Sequence, residues 1–70
     1  MNAAKIETRL DAAQTLAEDG CDTCDVAILS WYRGDYSAFV GQMREAIAKL
    51  GCAAVALDAI ANECDRLTSS

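Results

Sequence analysis

The sequence contains no histidine and no proline. Without histidine, a cysteine or serine nucleophile lacks its usual base, so nothing points to an enzyme. Without proline, no helix is forced to stop or kink by a missing backbone donor. Bases are few and scattered: Lys5, Arg9, Arg33, Arg44, Lys49 and Arg66 stand against eleven acids, for a net charge of −5. Phosphate neutralisation needs clustered Lys and Arg, which argues against direct nucleic-acid binding. No run of about 18 apolar residues occurs, so no membrane span is expected. There is no basic segment followed by an apolar one at the start, so no signal peptide is expected, and the setting is expected to be cytoplasmic. Nothing alternates as a strand would.

What is present is an apolar stripe. Phe39, Met43, Ala46, Leu50, Ala53, Leu57, Ile60, Cys64 and Leu67 follow one another at steps of four and three. That spacing marks one buried face of a helix over residues 36–67, with Leu57 central on it. Such a helix is about 48 Å long at 1.5 Å per residue. Gly51 is the one doubtful point, because Lys49-Leu50-Gly51 reads as a helix end. The stripe keeps phase across it and no N-cap follows, so a continuous helix is favoured over a break. The first half reads as an amphipathic helix over residues 3–19, with Ile6, Leu10, Ala13 and Ala17 on one stripe. Gly20 offers a stop. A short loop then leads to a second helix over 23–33, capped by Asp22. Gly34-Asp35 is the clearest turn. Seventy residues form a single helical domain whose own core is thin, since a chain this size buries only about 60% of its unfolded surface.

Four groups of residues are candidates for function. Cys21 and Cys24 form a C-x-x-C, while Cys52 and Cys64 stand alone. On one helix the last two are about 18 Å apart, too far for one zinc ion. A redox role lacks a βαβ setting. Neither a metal nor a cofactor is expected, and the thiols are read as structural. Asp19, Asp22 and Asp25, with Glu18, form an acidic cluster that lacks the EF-hand pattern; it reads as a solvated loop or as a patch for a basic partner. The four aromatics all lie between residues 31 and 39. Trp31 and Phe39 are expected to plug the hairpin end, leaving Tyr32, Arg33 and Tyr36 as an exposed contact patch. Arg33-Gly34-Asp35 spells an integrin tripeptide, which the turn chemistry already explains. Finally, Ala48, Cys52, Val55 and Ala59 form a second apolar stripe beside the main one. Over residues 51–57 the helix is apolar on nearly every side, so a third helix or another chain should cover it.

The fold class is therefore all-α, a small helical bundle or a long helical hairpin turning at Gly34-Asp35. The expected function is a non-enzymatic protein–protein interaction module acting by helix-face packing, on another protein or on itself as a homo-oligomer. Ile6-Glu7-Thr8-Arg9-Leu10, the Arg33-Gly34 turn and the alanine-rich last helix resemble the co-chaperones that hold needle subunits in type III secretion. The C-x-x-C region departs from that pattern, and no residue roles carry over. The alternative is a small acidic inhibitor of a host protein complex, of the kind phages use against defence systems including CRISPR complexes. A zinc or thiol-redox protein is the reading from a different class.

Overall fold

A computed structural model describes residues 3–68. It contains two helices, α1 (Ala3–Tyr32) and α2 (Tyr36–Thr68), packed antiparallel as a hairpin. The hairpin is elongated, 54 × 18 × 12 Å along its principal axes. No third helix forms among the described residues, so of the two architectures open from the sequence the chain adopts the hairpin.

The turn follows from two residues. The Gly34 N–H donates to the Trp31 carbonyl at 3.0 Å and the Asp35 N–H donates to the Ser30 carbonyl at 3.0 Å. This pair of bonds is the Schellman ending of α1, which places its glycine in the left-handed region; Gly34 has φ +77°. Asp35 then caps α2, its Oδ1 accepting from the Ala38 N–H at 3.2 Å. The cap satisfies one of the donors a helix start leaves open, and its charge suits the positive end of the helix dipole.

The helices meet along a seam of small residues. Ala13, Gly20 and Ala27 on α1 and Ala46, Ala53 and Ile60 on α2 are buried, each seven residues from the next. Seven is the period of two helices wound around each other with a left-handed supercoil. Gly20 marks the tightest approach: a Cβ built there would lie 2.8 Å from Leu50 Cγ and 3.4 Å from the Leu50 backbone nitrogen. Only a residue without a side chain fits.

This corrects the expected break after residue 19. α1 runs unbroken through Gly20, residues 21–25 form no loop, and Asp22 is not a cap but an exposed helical residue. The glycine serves packing instead of termination. Within the continuous helix the Thr23 hydroxyl donates to the Asp19 carbonyl at 3.0 Å. Gly51, in contrast, lies inside a continuous α2, as the unbroken phase of the stripe implied.

The expected stripes carry the seam, but not every member is buried. Leu57 is 42% exposed and Leu10 is 40% exposed, at the edge of the seam and not at its centre. Close approach selects Ala, Gly, Thr and Ser for the middle and pushes Leu to the flank. The seam is correspondingly weak, since a buried methyl contributes about 0.8 kcal/mol against about 1.5–3 for a whole Leu or Ile side chain. Ile60 is the one large apolar side chain that is buried among the described residues. Ile60→Ala should therefore lower stability by about 2–4 kcal/mol in denaturant titration. The glycines give a second contrast. Gly51 has nothing within 4 Å of a built Cβ, so Gly51→Ala should stabilise by about 0.5–1 kcal/mol. Gly20→Ala carries the same helix preference but drives Leu50 aside, so it should instead destabilise by about 1 kcal/mol. Equal urea midpoints for the two variants would exclude a tight contact at Gly20.

Candidate functional site

The seam is crossed by three polar pairs. Near the turn, Ser30 Oγ donates to Gln42 Oε1 at 2.7 Å. At mid-length, Lys49 Nζ donates to Thr23 Oγ1 at 3.1 Å and pairs with Asp19 at 3.1 Å and Glu45 at 3.4 Å. Near the open end, Arg9 pairs with Glu63. The pairs are in step: fourteen residues from Arg9 to Thr23 match fourteen back from Glu63 to Lys49, and seven from Thr23 to Ser30 match seven back to Gln42. They fix the register of a seam whose alanines could otherwise slide.

These pairs set the electrostatics. The Arg9 guanidinium, hydrogen-bonded to Glu63, holds its carboxyl below the ordinary value of 4.5. The hydrogen bond to Asp19 raises Lys49 above its ordinary 10.5; desolvation opposes this, and the charges of Asp19 and Glu45 add to it.

The expected contact residues fall into three places. Ala48, Cys52 and Val55 line a shallow groove of about 560 Å³ on the outer side of α2, together with Ile47, Gly51 and Ala56. Val55 is 72% exposed and Ala59 lies exposed beyond it. No element of the hairpin covers this stripe. Between residues 46 and 57 the one charged side chain is Lys49, and it is drawn into the seam. The outward surface there carries no charge. Gly51 contributes by leaving open space where a side chain would stand.

At the turn, Tyr32 is 81% exposed and Arg33 is exposed. Tyr36 is partly engaged: its ring lies edge-on to Trp31 at 5.1 Å between centroids, and Phe39 does the same at 5.2 Å. Trp31 is not the buried plug expected from the sequence. It is 53% exposed, because the inward positions of that turn belong to Ala27 and Ser30. Trp31 therefore joins the surface and was missed as a contact candidate. The signal was present in its spacing, four residues after Ala27 on the flank of the seam.

The acidic cluster divides. Asp19 is committed to Lys49 across the seam and does not belong to a free patch. Asp22 and Asp25 are exposed on the back of α1, where Asp11 and Glu18 extend them into a ridge. Among the described residues no group of three or more His, Cys, Asp or Glu side chains is gathered to hold a metal. Cys21 and Cys52 are exposed, Cys24 and Cys64 half-buried. None of the described helices is long and apolar enough to cross a membrane.

The pair at the open end has a pH signature. A carboxyl held low in the folded chain contributes stability that is complete above its ordinary value and lost as pH falls through the folded value. Glu63→Gln should therefore be less stable than the parent at neutral pH, and the gap should close as urea titrations are taken below pH 4.5. Lys49, held high, has the opposite sign. Its contribution is present below pH 10.5 and lost above the folded value, so the deficit of Lys49→Met should shrink only in strong alkali. A gap for Glu63→Gln that stays constant with pH would mean the pair adds nothing.

No family model, curated protein or solved structure matches this chain.

Proposed function

We propose that this hairpin is a non-enzymatic protein-interaction module that binds its target by helix-face packing along the outer side of α2. The observation that carries this is the charge-free outward surface of residues 46–57, with Val55 and Ile47 standing in solvent beside the groove floored by Ala48 and Gly51. A helix that is apolar all round is stable in water only when covered. The groove suits an amphipathic helix or an apolar ridge of a target protein. A co-chaperone or adaptor works in this way, shielding an apolar segment of its client with one of its own.

The acidic ridge supports a second reading. Asp11, Glu18, Asp22 and Asp25 line the back of α1, away from the groove. A surface of one sign accelerates capture of a basic target and suits a small inhibitor that blocks a basic site.

Affinity capture from the native cell separates the two. Val55→Arg should abolish capture while circular dichroism shows the helices intact, and the paired change Asp22→Asn with Asp25→Asn should leave capture unchanged. The reverse pattern would assign binding to the acidic ridge. Capture indifferent to both would remove the outer groove and the ridge from consideration.

A further inference from the structure

On one side of the hairpin lie two rows of residues, one and four positions after each seam residue. On α1 they run from Glu7 and Leu10 to Ile28 and Trp31; on α2 they run from Val40 and Met43 to Ala61 and Cys64. Of six bases and eleven acids, only Glu7 falls on either row. The rest of the charge sits in the polar pairs, at the turn, or on the opposite side and back of the hairpin. The contact of Trp31 with Tyr36 joins the two helices along this apolar edge. Val40, Ile47, Ile28 and Trp31 remain largely exposed on it.

The exposed area is large enough to hold an interface. The chain presents 5048 Å² to solvent. A compact monomer of 7.4 kDa presents about 4200 Å². The excess, about 800 Å², goes with the elongated 54 × 18 × 12 Å shape and leaves room for a standard interface, in which one partner buries about 800 Å².

The shape of the face selects its occupant. Along α2 the turn half is bulky, with Tyr36, Val40, Met43 and Ile47. The open half, with Ala54, Ala61 and Cys64, is small apart from Leu57. Apart from Met43 and Leu57, which mirror each other, the halves are complementary in size about Leu50, at the centre of the row. Turn a second hairpin end for end, and Ile47 meets the partner subunit's Ala54, Val40 meets the partner subunit's Ala61 and Tyr36 meets the partner subunit's Cys64, while Leu50 meets the partner subunit's Leu50 and Met43 meets the partner subunit's Leu57 as the two large pairs at the centre. Large against small is what fills an interhelical space at native density. A parallel arrangement would stack the bulky turn ends together and leave a void between the open ends.

We propose that a second copy of this chain covers this face, forming an antiparallel two-fold dimer, a four-helix bundle in which α2 packs on the partner's α2 about Leu50. The dimer rests on the interaction role proposed above and gives it a scaffold, because Val55, Ala48 and Cys52 of the outer groove and the acidic ridge stay on the outside, while Ile47 at the groove's edge is taken up by the dimer. The thin 12 Å dimension of the hairpin would double, giving a more nearly cylindrical bundle.

Sedimentation equilibrium of the full chain over a range of concentrations is the test, with a spin-label distance to fix the orientation. The expected mass is twice the 7.4 kDa of the chain. Val40→Arg and Leu57→Arg should each halve the mass with helix retained, and Val55→Arg should leave it doubled. A label on Arg33→Cys, with the four native cysteines replaced by alanine and dimer mass verified, should report a separation of about 50 Å between the turns, near the 54 Å length of the hairpin. A parent chain that stays monomeric at every concentration overturns the dimer. So does dissociation by Val55→Arg but not by Val40→Arg, which would move the contact to the outer groove. Turns within about 20 Å of each other, two helix diameters, overturn the antiparallel arrangement. If the arginine variants lose helix, the label distance still decides. A monomer that captures a target through Val55 defeats the dimer alone; a dimer that captures nothing defeats the interaction role alone.

Discussion

The structure depends on how closely two helices approach at one glycine. Where Gly20 meets Leu50 there is no room for a Cβ, and that spacing dictates the residues above and below it. Small side chains let the backbones come together, and close backbones then exclude large ones. Leucines, isoleucine and tryptophan that would fill the core of a wider bundle are displaced to the flanks. The apolar surface of this hairpin is thus a product of its tight seam, not an addition to it.

Polar pairs are the counterpart of that seam. Alanine against alanine packs almost equally well after a shift, so apolar contact alone specifies register poorly. Lys49 corrects this by having several partners at one level: Thr23, Asp19 and Glu45. A slip of one turn would break the Lys49–Thr23 hydrogen bond and take the Ser30–Gln42 and Arg9–Glu63 pairs out of step with it. The energetic value of such pairs at a wet surface is modest, but the penalty for mismatch falls on every alternative alignment.

Much of the fold was legible in the sequence. The turn at Gly34-Asp35 could be read because its chemistry is local, a left-handed glycine followed by a capping acid. The continuity of α2 through Gly51 could be read from phase. The role of Gly20 could not. A glycine followed by a polar stretch reads as a stop when only its neighbours are visible, and the residue that explains it, Leu50, lies thirty positions away. The same limit applies at Asp19, whose membership of an acidic cluster is a property of neighbours while its bond to Lys49 is a property of the fold. The outer stripe of Ala48, Cys52, Val55 and Ala59 was legible for the opposite reason. An excess of apolar residues beyond what one partner helix covers is a matter of counting faces, and the structure leaves those four exposed. Trp31 misled because size suggests burial, whereas a tight seam reserves burial for the small.

The order of the polar pairs along the hairpin also bears on how it opens. Ser30 and Gln42 are twelve residues apart in the chain, Thr23 and Lys49 twenty-six, Arg9 and Glu63 fifty-four. Each pair encloses the one before it, like the teeth of a zip whose slider starts at Gly34. Once the turn has formed, each further pair closes only the short stretch added since the last, so the entropy lost at each step stays small. Assembly can advance from contact to neighbouring contact without a long-range search, a topology associated with rapid folding. Loosening runs the other way, from Arg9 and Glu63 inward, and the aromatic end beside the turn is the last part to come apart.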